Sequence, residues 1–321
     1  MTEITTQPRT RGLRARWRSA GRVRRTLIAT GTLFAAFVMG VSALSAAWVA
    51  GYKIPLASGA TYLRVQKLVH SGDAERSGAP NAPFFVLLVG NDSRPGVGGA
   101  RGDALHLVGV NPRLRKATIL DIPRDTCWAG DKINAANAQG GGPAQAAAVG
   151  GLIGVPISYV VDVDFAGFQG LVDGIGGVSV NVPTQMHDTY SGAYFSPGVQ
   201  HMNGTQALSF SRDRHDFPTS DIVRTHNQGL LILDAMRQLR AKMQNAPGEF
   251  KLLALLGRHA QLDGVGMKDL YRLGRVAFSL NPDQIQNITI PYVGGQCLSL
   301  GAGASGLFAD FRDDGIVEGT H

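Results

Sequence analysis

The chain has 321 residues, 44% of them hydrophobic and 17% charged, with 42 Gly and only two Cys. That balance excludes a disordered, collagen-like or disulfide-stapled protein. The net charge of +7 sits in residues 1–25, where eight Arg face one acid, Glu3, while the other 296 residues carry 23 basic and 23 acidic side chains. The folded part thus lacks the basic bias of a nucleic-acid-binding domain, and no nucleic-acid partner is expected.

After the Arg-rich tail of residues 1–25, the run 26–52 carries no charged side chain. A helix of that length, rising about 1.5 Å per residue, covers the roughly 30 Å hydrocarbon core of a bilayer. The run exceeds the roughly 7–15 residues of a signal-peptide core, so an uncleaved anchor is the preferred reading, with cleavage near Ala43–Ala47 as the alternative. Positive charge stays inside, which puts the N-terminus in the cytoplasm and residues 53–321 outside a cytoplasmic membrane crossed once.

Residues 53–82 read as a polar connector. Phe84–Val89, Leu105–Val110 and Ala117–Ile122 are apolar runs bounded by turn residues, as buried strands are. A helix is predicted over 143–153 and a strand over Ile157–Val163. Asp164 can cap a helix through Val172, and Val178–Val182 is another strand. Helices are predicted over 221–245, 249–262 and 267–279, a strand over Gln286–Pro291, and a loose Gly- and Asp-rich tail over 301–321. Alternating strands and helices argue for an α/β fold, a central sheet covered by helices on both faces, in a single domain over 83–300.

Asp92 follows a buried strand and Gly90, where α/β sheets present ligands, and Asp103 opens the next strand. Two carboxylates at neighbouring strand ends suit a hard cation, Mg²⁺ or Mn²⁺; they read equally as solvated loop acids. Arg124 lies just past a strand. Arg212 and Arg214 share one face if their segment is extended, and Arg224 and Gln228 share a helix face. Together these groups could clamp a diphosphate through charge-assisted bonds, or form an ordinary Arg–Asp surface network with Asp213, Asp216 and Asp221. His215 and His226 have no partner at zinc spacing and read as surface or supporting residues. Cys127 and Cys297, 170 residues apart, fit no redox or zinc motif; outside the cell they read as a disulfide, and otherwise as two unrelated thiols.

Taken in order, Gly90-Asn91-Asp92-Ser93-Arg94, Arg101-Gly102-Asp103, Ile122-Pro123-Arg124-Asp125-Thr126, Val172-Asp173-Gly174-Ile175-Gly176-Gly177, Met202-Asn203-Gly204-Thr205-Gln206, Ser211-Arg212-Asp213-Arg214 and Asp221 through Gln228 form a set. The set, over about residues 84–236, resembles the LytR-CpsA-Psr family of cell-wall ligases. Gly102, Ala104 and His226-Asn227 depart from its usual pattern. The resemblance implies an extracytoplasmic, Mg²⁺-dependent phosphotransferase that moves a glycan phosphate from a polyprenyl diphosphate carrier to a peptidoglycan hydroxyl. It implies metal-binding by Asp92 and Asp103, and diphosphate-binding by Arg101, Arg124, Arg212, Arg214 and Arg224 with Gln228 alongside. Asp103, Arg124 and Arg224 are then catalytic, with Asp221 as the base for the acceptor hydroxyl. Leu252–Leu256 and the helix over 230–236 are candidates to line a prenyl tunnel. The competing readings are a polyprenyl diphosphate hydrolase and a carrier-binding module without transfer.

Overall fold

The computed structural model describes residues 63–68, 81–93, 100–217, 220–242 and 260–319. The Arg-rich tail, the anchor over 26–52, most of the connector, Arg94 and Leu252–Leu256 lie outside them. Among the described residues, no helix is long and apolar enough to cross a membrane.

In chain order, β1 (Leu63–Lys67), β2 (Phe84–Asn91), β3 (Gly102–Asn111) and β4 (Lys116–Ile122) are followed by the short pair β5 (Cys127–Trp128) and β6 (Asp131–Lys132). Helix α1 (Ala135–Ile153), β7 (Ile157–Asp164) and α2 (Phe165–Gly174) come next. A β-rich stretch holds β8 (Val178–Val182), β9 (Met186–Asp188), β10 (Ala193–Phe195) and β11 (Gly198–Met202). The chain continues through α3 (Gly204–Arg212), α4 (Ser220–Lys242), β12 (Ala260–Asp263) and α5 (Met267–Ser279). It closes with β13 (Gln286–Thr289), β14 (Tyr292–Val293), β15 (Ser299–Leu300) and α6 (Ala304–Asp314).

Seven strands form one mixed sheet in the order β12-β1-β7-β2-β3-β4-β13. β2 runs parallel to β7 and antiparallel to β3. Because strand side chains alternate between faces, odd positions such as Leu87, Val89, Leu105 and Leu107 pack with Val149 of α1 and Phe311 of α6. The opposite face, with Phe84, Ile119 and Tyr159, meets Leu233 of α4 and Leu273 and Val276 of α5. Helices therefore cover both faces, as the near-continuous apolar strands imply. A third cluster joins Val178, Val180, Met202, Phe210 and Leu231, so α2, α3 and the small strands β8–β11 share a core with α4.

Several expectations are corrected. Leu63–Lys67, read as connector, alternates buried and exposed residues and pairs with β7 and β12. Residues 260–262, placed in a helix, belong to β12, a strand parallel to β1, and 249–259 lie outside the described residues. The helix expected over 143–153 is present, preceded by a short helical stretch from Ala135 that the sequence reading missed and that a kink at the non-helical Gly140 and Gly141 separates from it. Helix α3 went unpredicted, although Asn203 and Gln206 form a capping box at its start. The tail expected to be loose carries α6, whose Leu307, Phe308 and Phe311 enter the main core. That helix lies so close to β3 that a Cβ on Gly109 would collide with the Phe311 ring and the Gly315 carbonyl.

Cys127 and Cys297 are joined, with Cα atoms 5.1 Å apart. Backbone bonds from Cys127 to Leu298 and from Leu298 to Asp125, both 2.9 Å, run beside the bond and fasten the segment just past Arg124 to the chain's late part. Cross-linking residues 170 apart restricts the unfolded chain strongly. The double variant Cys127→Ser/Cys297→Ser should lose about 2–5 kcal/mol of stability against the oxidised wild type in urea unfolding.

Candidate active site

The even-numbered face of β2 and β3 does not all reach helices. Leu88, Gly90, Ala104 and His106 floor a cavity of about 800 Å³, walled by α2, α3 and α4 and by Asp188, Tyr190 and Ser191. Asp103 also lines it. Strict alternation would turn Asp103 toward α1 with Leu105. Instead Gly90 pairs with Ala104 and Asn91 with Gly102, so Asp103 is the extra residue of a β-bulge and joins Ala104 on the cavity side. Bulges next to active sites re-aim side chains in this way.

One end of the cavity is densely charged. Arg124 Nη1 donates to Asp103 Oδ1 at 2.7 Å, and Arg124 Nε lies 3.7 Å from Asp221 Oδ1. Arg224 pairs with the same Asp221 oxygen at 2.5 Å and donates to the Asp103 carbonyl at 3.2 Å. Burial opposes the charge on Arg124, yet Asp103, Asp221 and Asp125 outweigh it and raise its pKa. Arg224, with its side chain 7% exposed, is pushed the other way, by burial first and despite Asp221. Burial raises the Asp221 carboxyl against the pull of Arg224 and Arg124.

Arg212 ends α3 rather than lying in an extended segment, and its guanidinium covers the Phe165 ring at 5.0 Å. Arg212 and Arg214 nevertheless both line the cavity, because the extended backbone at Asp213 turns that side chain inward. Among the described residues, neither arginine forms a close ion pair with a carboxylate, and Arg214 attracts Asp221 only at longer range. Gln228, one turn beyond Arg224 on α4, donates to the Ser211 carbonyl at 2.7 Å and so ties α4 to α3. Asp92 also lines the cavity. Arg101 is exposed and lies outside the lining.

The rest of the cavity is apolar, with Leu63, Val161, Phe168, Leu171, Leu231 and Ile232 in its wall. Of the residues foreseen as tunnel lining, Leu231 and Ile232 are there, and Leu252–Leu256 lie outside the described residues. Among the described residues, no group of three or more His, Cys, Asp or Glu side chains is placed to hold a metal ion. Asp92 and Asp103 both line the cavity, and carboxylate oxygens are the donor chemistry that suits a hard cation completed by water or phosphate oxygens.

Three histidine–carboxylate contacts escaped the sequence reading: His106–Asp121, His215–Asp188 and the longer His226–Asp121 at 3.4 Å. His106 and Asp121, opposite each other on β3 and β4, are joined at 2.8 Å and buried in the sheet. A polar residue in each of two otherwise apolar strands, Leu105-His106-Leu107 and Leu120-Asp121-Ile122, was the available signal. His215 Nδ1 meets Asp188 Oδ2 at 2.9 Å, and both residues line the cavity.

The chain shares its fold with a LytR-Csp2A-Psr enzyme from Actinomyces oris, with a TM-score of 0.64 and 22% identity over 79% of this chain and 97% of that one. TagT bound to LI-WTA matches with a TM-score of 0.58 and 22% identity, over 81% and 98% of the two chains. The polyisoprenyl-teichoic acid–peptidoglycan teichoic acid transferase TagU of Bacillus mycoides (strain KBAB4) is 38% identical over 152 residues, 46% of this chain and 49% of that protein. The chain thus spans about half the length of the curated relatives it matches. The LytR_cpsA_psr family profile matches residues 57–305, and the chain belongs to that family.

Asp213 offers a stability test of this architecture. Burial, then the charges of Asp216 and Asp188, push its carboxyl up to about 7 from 3.8. The native state therefore binds that proton more tightly than the unfolded chain, and stability falls as pH rises from about 4 to about 7. Asp213→Asn should flatten this fall: its urea midpoint exceeds the wild type's at pH 8, and the gap narrows toward pH 4.

Proposed function

We propose that the protein is a phosphotransferase that moves a glycan phosphate from a polyprenyl diphosphate carrier to a peptidoglycan hydroxyl, attaching a teichoic acid, capsule or arabinogalactan-like polymer outside the cytoplasmic membrane. The observation that carries this reading is the division of one cavity into an arginine-rich end and an apolar remainder. A lipid diphosphate has the same two halves. Family membership and the transferase activity named for TagU support the reaction class. The uncharged run 26–52 would tether the domain beside its lipid donor.

Phosphoryl transfer asks the protein chiefly for positioning and charge neutralisation. In this reading Arg212 and Arg214, free of close carboxylates among the described residues, grip the diphosphate. Arg124 and Arg224 meet the oxygens of the transferring phosphoryl group, with forks pre-aimed by Asp103 and Asp221. Gln228 keeps α4 and α3 together, which fixes Arg224 relative to Arg212. Arg101, exposed beside the cavity residues, is left for the outer face of the diphosphate. Asp221, foreseen as the base, sits between two guanidinium groups and serves here to orient them.

Asp92 and Asp103 would hold a Mg²⁺ ion, or Mn²⁺ in its place, and when bound it supplies charge neutralisation at the phosphate oxygens. The prenyl chain lies along Leu231, Ile232 and Phe168.

The test combines full-length protein in detergent, a polyprenyl diphosphate-linked saccharide, Mg²⁺ and peptidoglycan fragments, read by mass spectrometry. A phosphodiester-linked adduct is expected, reduced at least about 100-fold in Asp103→Ala and Arg124→Ala, the scale for losing one transition-state charge partner. Free saccharide phosphate without an adduct would make the protein a hydrolase. Donor binding without turnover would leave a carrier-binding module.

A further inference from the structure

We propose that His215, held by Asp188, is the base that takes the proton from the acceptor hydroxyl, an assignment that rests on the transfer reaction proposed above. The step balances within the reactants. The hydroxyl O–H bond breaks and its proton passes to His215 Nε2. The freed oxygen pair forms a bond to the transferring phosphorus, and the bond from phosphorus to the bridging oxygen breaks, its electrons leaving on prenyl phosphate.

The geometry of the pair is that of a general base with an orienting carboxylate. Asp188 is buried at the end of β9. Its Oδ2 meets His215 Nδ1 at 2.9 Å, and its Oδ1 accepts the Tyr190 backbone N–H at 2.8 Å. Burial works against the Asp188 charge, but the bonds from His215, the Tyr190 backbone and Ser191 hold its carboxyl well below the usual range. An ionised partner at Nδ1 draws the ring proton to that nitrogen and leaves the lone pair on Nε2, which has no protein partner among the described residues. The Tyr190 ring lies against the imidazole, with centroids 4.6 Å apart and planes tilted by 33°.

Position separates His215 from the other cavity groups. Asp103 is bonded to Arg124, Asp221 lies between two arginines, and Asp164 caps α2 through the Gly167 N–H. His106 lines the floor but is 3% exposed and bound to Asp121 inside the sheet. His215 is 43% exposed at the mouth, where an acceptor arriving from solvent enters. Its neighbour Arg214 lines the same cavity and lies within electrostatic reach of both Asp221 and Arg224. The charged and titratable groups around the ring are Asp188 and Tyr190 from the β9–β10 hairpin, and Asp213, Arg214 and Asp216 from its own segment.

The experiment uses full-length protein with the donor and acceptor already described, measuring kcat from pH 5 to 9 and donor affinity separately. Wild-type kcat should rise with pH to a plateau, since histidine changes charge in this range and the neutral ring is the active form. His215→Gln should lose that rising limb and about 100-fold or more of plateau kcat, with donor affinity within about two-fold of wild type. Added imidazole should restore part of the rate to His215→Ala. An unchanged limb in His215→Gln, or a loss that follows donor affinity, would overturn the assignment. So would loss of the limb in Asp221→Asn with His215→Gln retaining it. Absence of adduct from the wild type would instead bring down the transfer reaction itself, which keeps the two failures distinguishable.

Discussion

A strand sends successive side chains to opposite faces, so a site that needs Asp103 beside Ala104 must break the alternation. The bulge opposite Gly90 and Asn91 does so. Everything at the charged end depends on that one extra residue. Asp103 anchors Arg124 through its side chain and Arg224 through its carbonyl, from two elements far apart in sequence. On the regular register the carboxylate faces α1, and two arginines are left to repel each other without it. Downstream of the bulge the alternation holds, and Leu105 and Leu107 point to the core.

The same economy of charge runs through the cluster. Arg124 and Arg224 each disfavour the other's charge, and the shared Asp221 offsets the repulsion. Buried ion pairs of this kind contribute little to stability in themselves, because desolvation cancels much of the attraction. Their effect is on geometry. Two guanidinium groups stay aimed at one volume before any anion arrives, and that prior ordering is what an electrostatic catalyst requires.

Much of the scaffold was legible because burial leaves a pattern. β2, β3, β4 and β7 are runs of apolar residues broken by turns, α2 has its capping Asp164, and α5 has a sided pattern over the predicted length. What escaped depended on partners remote in the chain. β1 is half polar and becomes a strand only by pairing with β7 and β12. The Gly-rich ending hides α6, whose Phe311 reads as core only once Gly109 offers it room. In the site, Asp92, Arg124, Arg212, Arg214, Arg224 and Gln228 could be marked from their motifs, and they line one cavity. Arg101, carried by the same motifs, does not. The pairs His106–Asp121 and His215–Asp188 join residues 15 and 27 positions apart through strand register and a hairpin, which no local spacing reveals.

The bond between Cys127 and Cys297 lies three residues beyond Arg124 and stitches that arginine's segment to the end of the chain. Thiols stay reduced in the cytosol and pair on export. In reducing surroundings the chain keeps these arginines but lacks the covalent tie behind one of them. Oxidation completes the covalent support of Arg124, so the ordering of that side chain follows the redox state of the compartment that holds the domain.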